Sequence, residues 1–511
     1  YAKKFAGKHD INLMAGYENY YEYIEELGAD RDGYVLTNFP YLNNGPKDLI
    51  GNSGKGKEYA YRSYFGRVMY SYADRYLFQA NIRHDGSSRF AKKHRWGTFP
   101  SFSAGWVLSE ENFMKNLNWD WLSFLKIRAT WGALGNERIG DFPYMSTIAF
   151  GNTIFYQNNG IYFDQTASQQ KYAIENVTWE KTESTDIGLD ISFLNNRLRV
   201  NGDYYWKNTK DMLLAMAIPD FLGFSDPDVN AGKMSTKGYE LNVSWNDHIG
   251  DFSYGIAINF SDFTSKMGDL QGTQFLGDKV KMEGSEFNEW YGYVSDGLFL
   301  TEEDLKNSPK INDKNTQLGD IKYKDISGPD GVPDGKISPE YDRVLLGSSL
   351  PHFLYGGNIN LGYKNFDLSL AFQGVGKQNA RLAREMVEPF RNNYGNFPAI
   401  IDGNYWSPYN TDEQNAVAKY PRLTHVNKSS NYAMSDYWLF NGGYFRLKNI
   451  TLGYTFPKEW MNAIGIKGAR IYASASDLFC LSKYPKGWDP EMGVSEYPIT
   501  TSILLGVSVN F

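Results

Sequence analysis

The stretch Tyr64-Phe65-Gly66-Arg67-Val68-Met69-Tyr70-Ser71-Tyr72-Ala73-Asp74-Arg75-Tyr76-Leu77-Phe78-Gln79-Ala80-Asn81-Ile82-Arg83 decides the fold. Tyr64, Val68, Tyr70 and Tyr72 lead into Ala73-Asp74-Arg75, and Tyr76, Phe78, Ala80 and Ile82 lead out of it. Arg67, Ser71, Gln79, Asn81 and Arg83 occupy the alternate positions. Successive side chains on a strand point to opposite faces, so this rhythm gives one greasy face and one polar face. The short break between the two runs predicts a hairpin.

The same rhythm runs outward along the chain. At the C-terminal end Ile503, Leu505, Val507, Val509 and Phe511 alternate with Leu504, Gly506, Ser508 and Asn510. Ile187 to Phe193 and Leu198 to Trp206 flank Asn195-Asn196, a plausible tight-turn pair. Tyr239 to Trp245 pairs with Phe252 to Phe260, and Ile359 to Tyr363 with Phe366 to Phe372 across Lys364-Asn365. We count about fourteen or fifteen such segments. Their connections are unequal, with short turns on one side and long polar, aromatic-rich stretches at Gly135–Trp179, Leu300–Pro351 and Gly376–Gly442 on the other. Outer-membrane barrels have that asymmetry, whereas a soluble propeller or sandwich is spaced more evenly.

Composition narrows the choice. The 511 residues carry 52 Lys+Arg against 59 Asp+Glu, a formal charge of −7, which gives no electrostatic case for nucleic acid as a partner. Aromatics reach 16%, with 38 Tyr, and there are 50 Gly, a composition suited to strands and turns. Cys480 is the single cysteine, so no internal disulfide forms and thiol redox chemistry is not expected. No apolar run approaches the roughly 18 residues of a membrane-spanning helix, but a barrel strand needs apolar residues only at alternate positions. The chain opens on Tyr1-Ala-Lys-Lys-Phe5 without a signal-peptide pattern and reads as a processed or truncated piece.

Charge placement separates a membrane barrel from a soluble β protein. Arg67, Arg83, Lys126, Arg128, Asp186, Asp190, Arg199, Asp203 and Glu240 stand on the polar faces, too many ionisable groups for a packed core. They fit a water-filled lumen, with the apolar stripe facing lipid. Tyr64, Trp106, Trp131, Trp206, Trp245 and Phe511 at strand ends suit the bilayer interfaces.

Several stretches carry a family likeness. They are Tyr64-Phe-Gly-Arg-Val-Met-Tyr-Ser-Tyr-Ala-Asp-Arg-Tyr76, Arg83-His-Asp-Gly-Ser-Ser-Arg-Phe90 and Trp96-Gly-Thr-Phe-Pro-Ser-Phe-Ser-Ala-Gly-Trp106. Arg128-Ala-Thr-Trp-Gly-Ala-Leu-Gly-Asn136, Trp179-Glu-Lys-Thr-Glu-Ser-Thr-Asp186, Gly319-Asp-Ile-Lys-Tyr-Lys-Asp325 and the Phe-terminated last strand complete the set. The chain resembles the C-terminal barrel portion of a SusC/RagA-type TonB-dependent transporter of a Bacteroidetes outer membrane. The resemblance implies an all-β, transmembrane antiparallel barrel, part of a wall of about 22 strands, with long extracellular loops and short periplasmic turns. It further implies a plug, a TonB complex that energises uptake through the N-terminal part, and a SusD-like surface lipoprotein as lid. Oligosaccharides, or in some members peptides, are the implied cargo. The plug and early strands do not appear in these residues, so residues 1–511 read as the C-terminal portion, completed in the outer-membrane lipid by the remaining polypeptide of the same barrel and plug.

Candidate chemistry divides into weak and stronger signals. Gly51-Asn-Ser-Gly-Lys-Gly-Lys57-Glu58 nearly spells a phosphate-binding loop, but Glu58 replaces the magnesium-binding hydroxyl and the segment reads as a polar loop. Asp325, Asp330, Asp334 and Asp342 gather hard oxygen ligands among glycines, which calcium in an extracellular loop would use; an ordinary turn cluster is the alternative. No other cofactor is implied. The histidines are scattered without metal-ligand spacing, and Glu283, Glu286 and Glu289 beside Trp290 lack a fold context for glycoside hydrolysis, so no catalytic residue is assigned. Trp290, Tyr291, Tyr293, Tyr405, Trp406, Tyr409, Tyr437, Trp438 and Trp488 lie in the long connections as expected exposed rings, able to stack on substrate or to pack on a partner surface. An energised importer is the favoured reading. A passive porin or structural barrel is the alternative, and sugar against peptide is left open.

Overall fold

The computed structural model describes residues 1–157, 160–169, 171–216, 218–270, 272, 276–391, 396–492 and 496–511. Among them one fifteen-stranded sheet runs in unbroken chain order. We number its strands β1 (Ala2–Phe5), β2 (His9–Arg31), β3 (Ile50–Tyr72), β4 (Tyr76–Ser87), β5 (Trp96–Val107), β6 (Leu122–Asn136), β7 (Glu180–Phe193) and β8 (Leu198–Lys210). There follow β9 (Lys233–Ile249), β10 (Phe252–Met267), β11 (His352–Tyr363), β12 (Phe366–Lys377), β13 (Tyr444–Thr455), β14 (Gly468–Ser482) and β15 (Ser502–Asn510). By contacts the chain divides into two compact units, one of residues 1–107, 128–186 and 207–234, the other of 108–127, 187–206 and 235–511.

In the first unit the deciding hairpin forms as the rhythm requires. Tyr72 stands opposite Tyr76, Tyr70 opposite Phe78 and Val68 opposite Ala80, so the greasy members share a face. The turn between them places Ala73 and Asp74 at positive φ. On the other face the Arg67 Nε donates to Asn81 Oδ1 at 2.8 Å, and Asn81 Nδ2 donates to Ser101 Oγ at 3.0 Å. Arg83 pairs with Asp85 at 3.1 Å.

The second unit repeats the device across more strands. Register aligns Tyr254, Leu361, Leu368, Leu452, Ala473 and Leu505 in one cross-strand row. Ile256, Ile359, Leu370, Ile450, Ala475 and Ile503 form the next. These rows are not covered by protein: Leu452 is 51% exposed and Leu505 84%. Between them Ser369 opposes Thr451, and Thr451 opposes Ser474 with their hydroxyls 2.8 Å apart. An apolar face left open over six strands is out of place against water and suits hydrocarbon.

The connections alternate in length as expected, with two differences. Turns at 6–8, 73–75, 194–197, 250–251 and 364–365 are short, but 108–121 and 456–467 are longer and carry the short helices Asn112–Lys115 and Lys458–Ala463. Residues 51–58, expected as a loop, lie within β3 and pair with residues 30–23 of β2. Charge complementarity holds that extension, as in the Lys55–Glu26 pair at 2.8 Å. A polar extension lacks apolar alternation, so the rhythm gave no sign of it.

Candidate functional site

The long connections of the second unit build a body of their own. Tyr293, Leu298, Ile321, Tyr323, Ile337, Met386, Val387, Ile401, Tyr432 and Trp438 form a buried hydrophobic cluster there. At its heart Asp320 is fully buried. Its carboxylate accepts from Arg422 Nε at 2.7 Å, Asn431 Nδ2 at 2.9 Å, Asn427 Nδ2 at 2.8 Å and the Gln317 backbone N–H at 2.9 Å. A buried carboxylate is tolerated only when it is so satisfied. One side chain thereby ties residues 317–321 to residues 422–431. Burial pushes the hydroxyls of Tyr323, Tyr432 and Tyr437 above the usual phenol range, and Tyr323 donates to the Ser430 carbonyl at 2.7 Å.

The expected aromatics divide by environment. Tyr293 and Trp438, at 6% and 2% exposure, are inside this core, and the expectation of exposed rings fails for both. Trp438 Nε1 donates to the Asn431 carbonyl at 2.9 Å, and its ring stacks on Tyr432. Tyr437 is half-buried and donates to the Lys419 carbonyl at 2.9 Å. Irregular segments have no repeating period, so nothing in their order distinguished inward from outward rings. Tyr291 lies under the Arg343 guanidinium at 4.5 Å, and Trp290 under the Lys279 ammonium at 4.6 Å. Trp488 is half-buried beside Met386, Phe397 and Ile400 at a cavity of about 480 Å³.

Tyr405, Trp406 and Tyr409 do come together. With Glu302, Gln317 and Arg422 they line a cavity of about 590 Å³. Tyr409 is 96% exposed. Trp406 lies against Gly319, which has φ +82; a Cβ there would come within 2.3 Å of the indole. Arg422 is held by Asp320, so the buried node also fixes one polar wall of the cavity. Flat rings beside carboxylate, amide and guanidinium edges bind ligands that combine apolar faces with hydroxyls.

The acidic loop ties most of its carboxylates to backbone amides. Asp342 is fully buried, with Oδ1 accepting from the Ile326 and Ser327 amides at 2.8 and 3.2 Å and Oδ2 from Ser338 at 2.7 Å. Asp325 accepts from Gly335 at 2.5 Å and Asp334 from Lys336 at 3.0 Å, while Asp330 is exposed. Among the described residues no three acidic, His or Cys side chains gather to hold a metal. Asp342, Asp325 and Asp334 thus cap backbone amides of the turns around them.

Two further arrangements shape the polar surfaces. Arg446, 2% exposed, pairs with Asp489 at 2.5 Å and lies beside Asp477 and Glu491, which fastens residues 489–491 to β13. In the first unit Arg67, Gln79, Asn81, Arg83 and Ser101 line a cavity of about 810 Å³ on the polar sheet face. The second was latent in the alternation; the first needs a contact between distant segments.

Residues 3–478 match the family described as TonB dependent receptor-like, beta-barrel. TonB-dependent receptor P3 of Formosa agariphila is 31% identical over 518 residues, covering 96% of this chain and 48% of that protein. TonB-dependent receptor SusC of Bacteroides thetaiotaomicron is 31% identical over 533 residues, covering 99% and 49%. The solved structure of the RagAB peptide transporter superposes with a TM-score of 0.81 at 23% identity, over 100% of this chain and 54% of that one, a likeness of fold. The chain thus spans about half the length of the relatives it matches. The alternating rows, the meandering antiparallel sheet and these matches agree: the chain belongs to the TonB-dependent receptor-like β-barrel family of outer-membrane proteins and is a relative of SusC.

Proposed function

We propose that the chain is the C-terminal barrel portion of an importer that carries oligosaccharides across the outer membrane, energised through TonB and capped by a SusD-like surface lipoprotein. The observation that carries the sugar reading is the cavity of Tyr405, Trp406 and Tyr409, whose rings stand beside Glu302, Gln317 and Arg422. Sugar rings present C–H faces and hydroxyl edges, and that combination meets both kinds of wall. The polar sheet face of Arg67, Asn81 and Arg83 supplies the conduit side. Transport without chemistry on the cargo accounts for these features. Peptide cargo is the rival, since the RagAB relative in fold is a peptide transporter.

Deletion of the gene, followed by growth on single defined oligosaccharides and on peptide mixtures, tests the reading. Loss of growth on one glycan class, restored by the wild-type gene and not by the Trp406→Ala, Tyr409→Ala double variant, is expected. Loss confined to peptides overturns the sugar reading, and unchanged growth on all of them overturns import.

A further inference from the structure

A second cavity in the same loop body, about 380 Å³, is lined by Lys279, Arg381, Arg384, Glu385, Arg391 and Tyr484 around the edge of Trp290. Its size lies within the roughly 300–1,000 Å³ of small-ligand sites. Three of the cations already have carboxylate partners. Arg381 meets Asp278 at 2.5 Å, Arg384 meets Glu388 at 2.6 Å, and Arg391 pairs with Glu385. Lys279 differs. Its ammonium rests on the Trp290 ring at 4.6 Å, and among the described residues no ion pair forms to it. Lys279 is an exposed residue, and partial desolvation lowers its pKa. A ring face holds a cation without cancelling its charge.

The perch itself is rigid. Trp290 Nε1 donates to the Asn379 carbonyl at 2.5 Å, Asn379 Nδ2 donates to the Leu346 carbonyl at 3.2 Å, and Gln378 Nε2 donates to the Ser349 carbonyl at 3.2 Å. Tyr484 is set edge-on against Phe440 at 4.9 Å and completes an aromatic wall. The site therefore offers one uncompensated positive charge, flanking cations each paired with a carboxylate, Glu385 in the wall among them, and a ring surface.

We propose that this cavity receives an acidic sugar of the cargo, with Lys279 as counter-charge to its carboxylate and Tyr484 against its ring. The proposal rests on the oligosaccharide reading above and narrows it to glycans that carry anionic residues. Sulfate esters share the chemistry and are separated by the test.

The test uses the full-length transporter in detergent and titration calorimetry with three probes: a uronate-containing trisaccharide, the same trisaccharide with its carboxyl reduced to an alcohol, and a sulfated neutral trisaccharide. The wild type is expected to prefer the uronate over its reduced form by about tenfold, the size of one charged hydrogen bond. Lys279→Met is expected to erase that preference and Lys279→Arg to keep most of it, with near-ultraviolet dichroism reporting an intact loop body in both. A stronger Lys279-dependent preference for the sulfated probe reassigns the anion and overturns the carboxylate. Equal binding of uronate and reduced forms by the wild type overturns the proposal while leaving glycan import standing. Binding of none of the three overturns the oligosaccharide reading itself.

Discussion

The sheet and the loop body of the second unit solve opposite problems with the same residue types. In the sheet Ile256, Leu452 and Leu505 point away from protein, and the small and polar Ser369, Thr451 and Ser474 share the other face. In the loop body Trp438, Tyr293 and Ile401 point inward around a buried Asp320. The difference is the solvent. Hydrocarbon outside a sheet removes the penalty for exposed apolar rows, while water outside the loops restores the ordinary rule that apolar groups are buried. One chain thus carries an inverted pattern and a conventional one, joined at strand ends.

The largest expected break comes from Asp320→Ala. It strips Arg422, Asn427 and Asn431 of their shared acceptor, at a cost of about 3–5 kcal/mol for an orphaned buried charge. Limited proteolysis is expected to cut within 293–438 while the sheet keeps its heat-modifiable migration on gels; simultaneous loss of both would show that the two regions are one cooperative unit. Next comes a paired substitution in the sheet. Leu452→Arg is expected to cost about 2–4 kcal/mol in liposomes and Thr451→Arg close to nothing, read from guanidinium unfolding; equal costs would erase the distinction between faces. Smaller again, Gly319→Ala pushes its Cβ into Trp406 and is expected to weaken glycan binding about tenfold, near 1.4 kcal/mol, at a folding cost of about 1–3 kcal/mol. Unchanged affinity would remove Trp406 from the binding surface.

The smallest effect is alkaline. The Tyr323, Tyr432 and Tyr437 phenols have pKa values raised by burial above the ordinary 10.0. Their neutral forms are the ones the fold accepts, so the contribution is complete below about pH 10 and declines as pH rises from there toward the raised values. Near-ultraviolet dichroism of the loop aromatics is expected to fade above that pH before far-ultraviolet strand signal does. Coincident loss would contradict the separation.

What could be read from the order of residues follows from periodicity. The hairpin at Ala73, the two-residue turn at Lys364 and the apolar rows were legible because a strand repeats every two residues and each row reinforces its neighbours. Lys55 and Lys57 escaped because an extension held by charge has no greasy stripe. Trp438 and Tyr293 were expected outside because irregular backbone assigns no face to a ring. The acidic run at 325–342 reads two ways because Asp serves both cations and turn amides, and the order of residues does not choose between them. Tyr405, Trp406 and Tyr409 were three of nine rings expected outside, and the fold brings these three to one cavity.

The direction of the apolar rows is tested most directly by spin labels at Ile256, Leu452, Ser369 and Thr451 of the full-length transporter in liposomes. Relaxation by dissolved oxygen at Ile256 and Leu452, and by a water-soluble nickel chelate at Ser369 and Thr451, is the predicted pattern. Chelate access at Leu452 equal to that at Thr451 would contradict a wall with lipid on one side and water on the other.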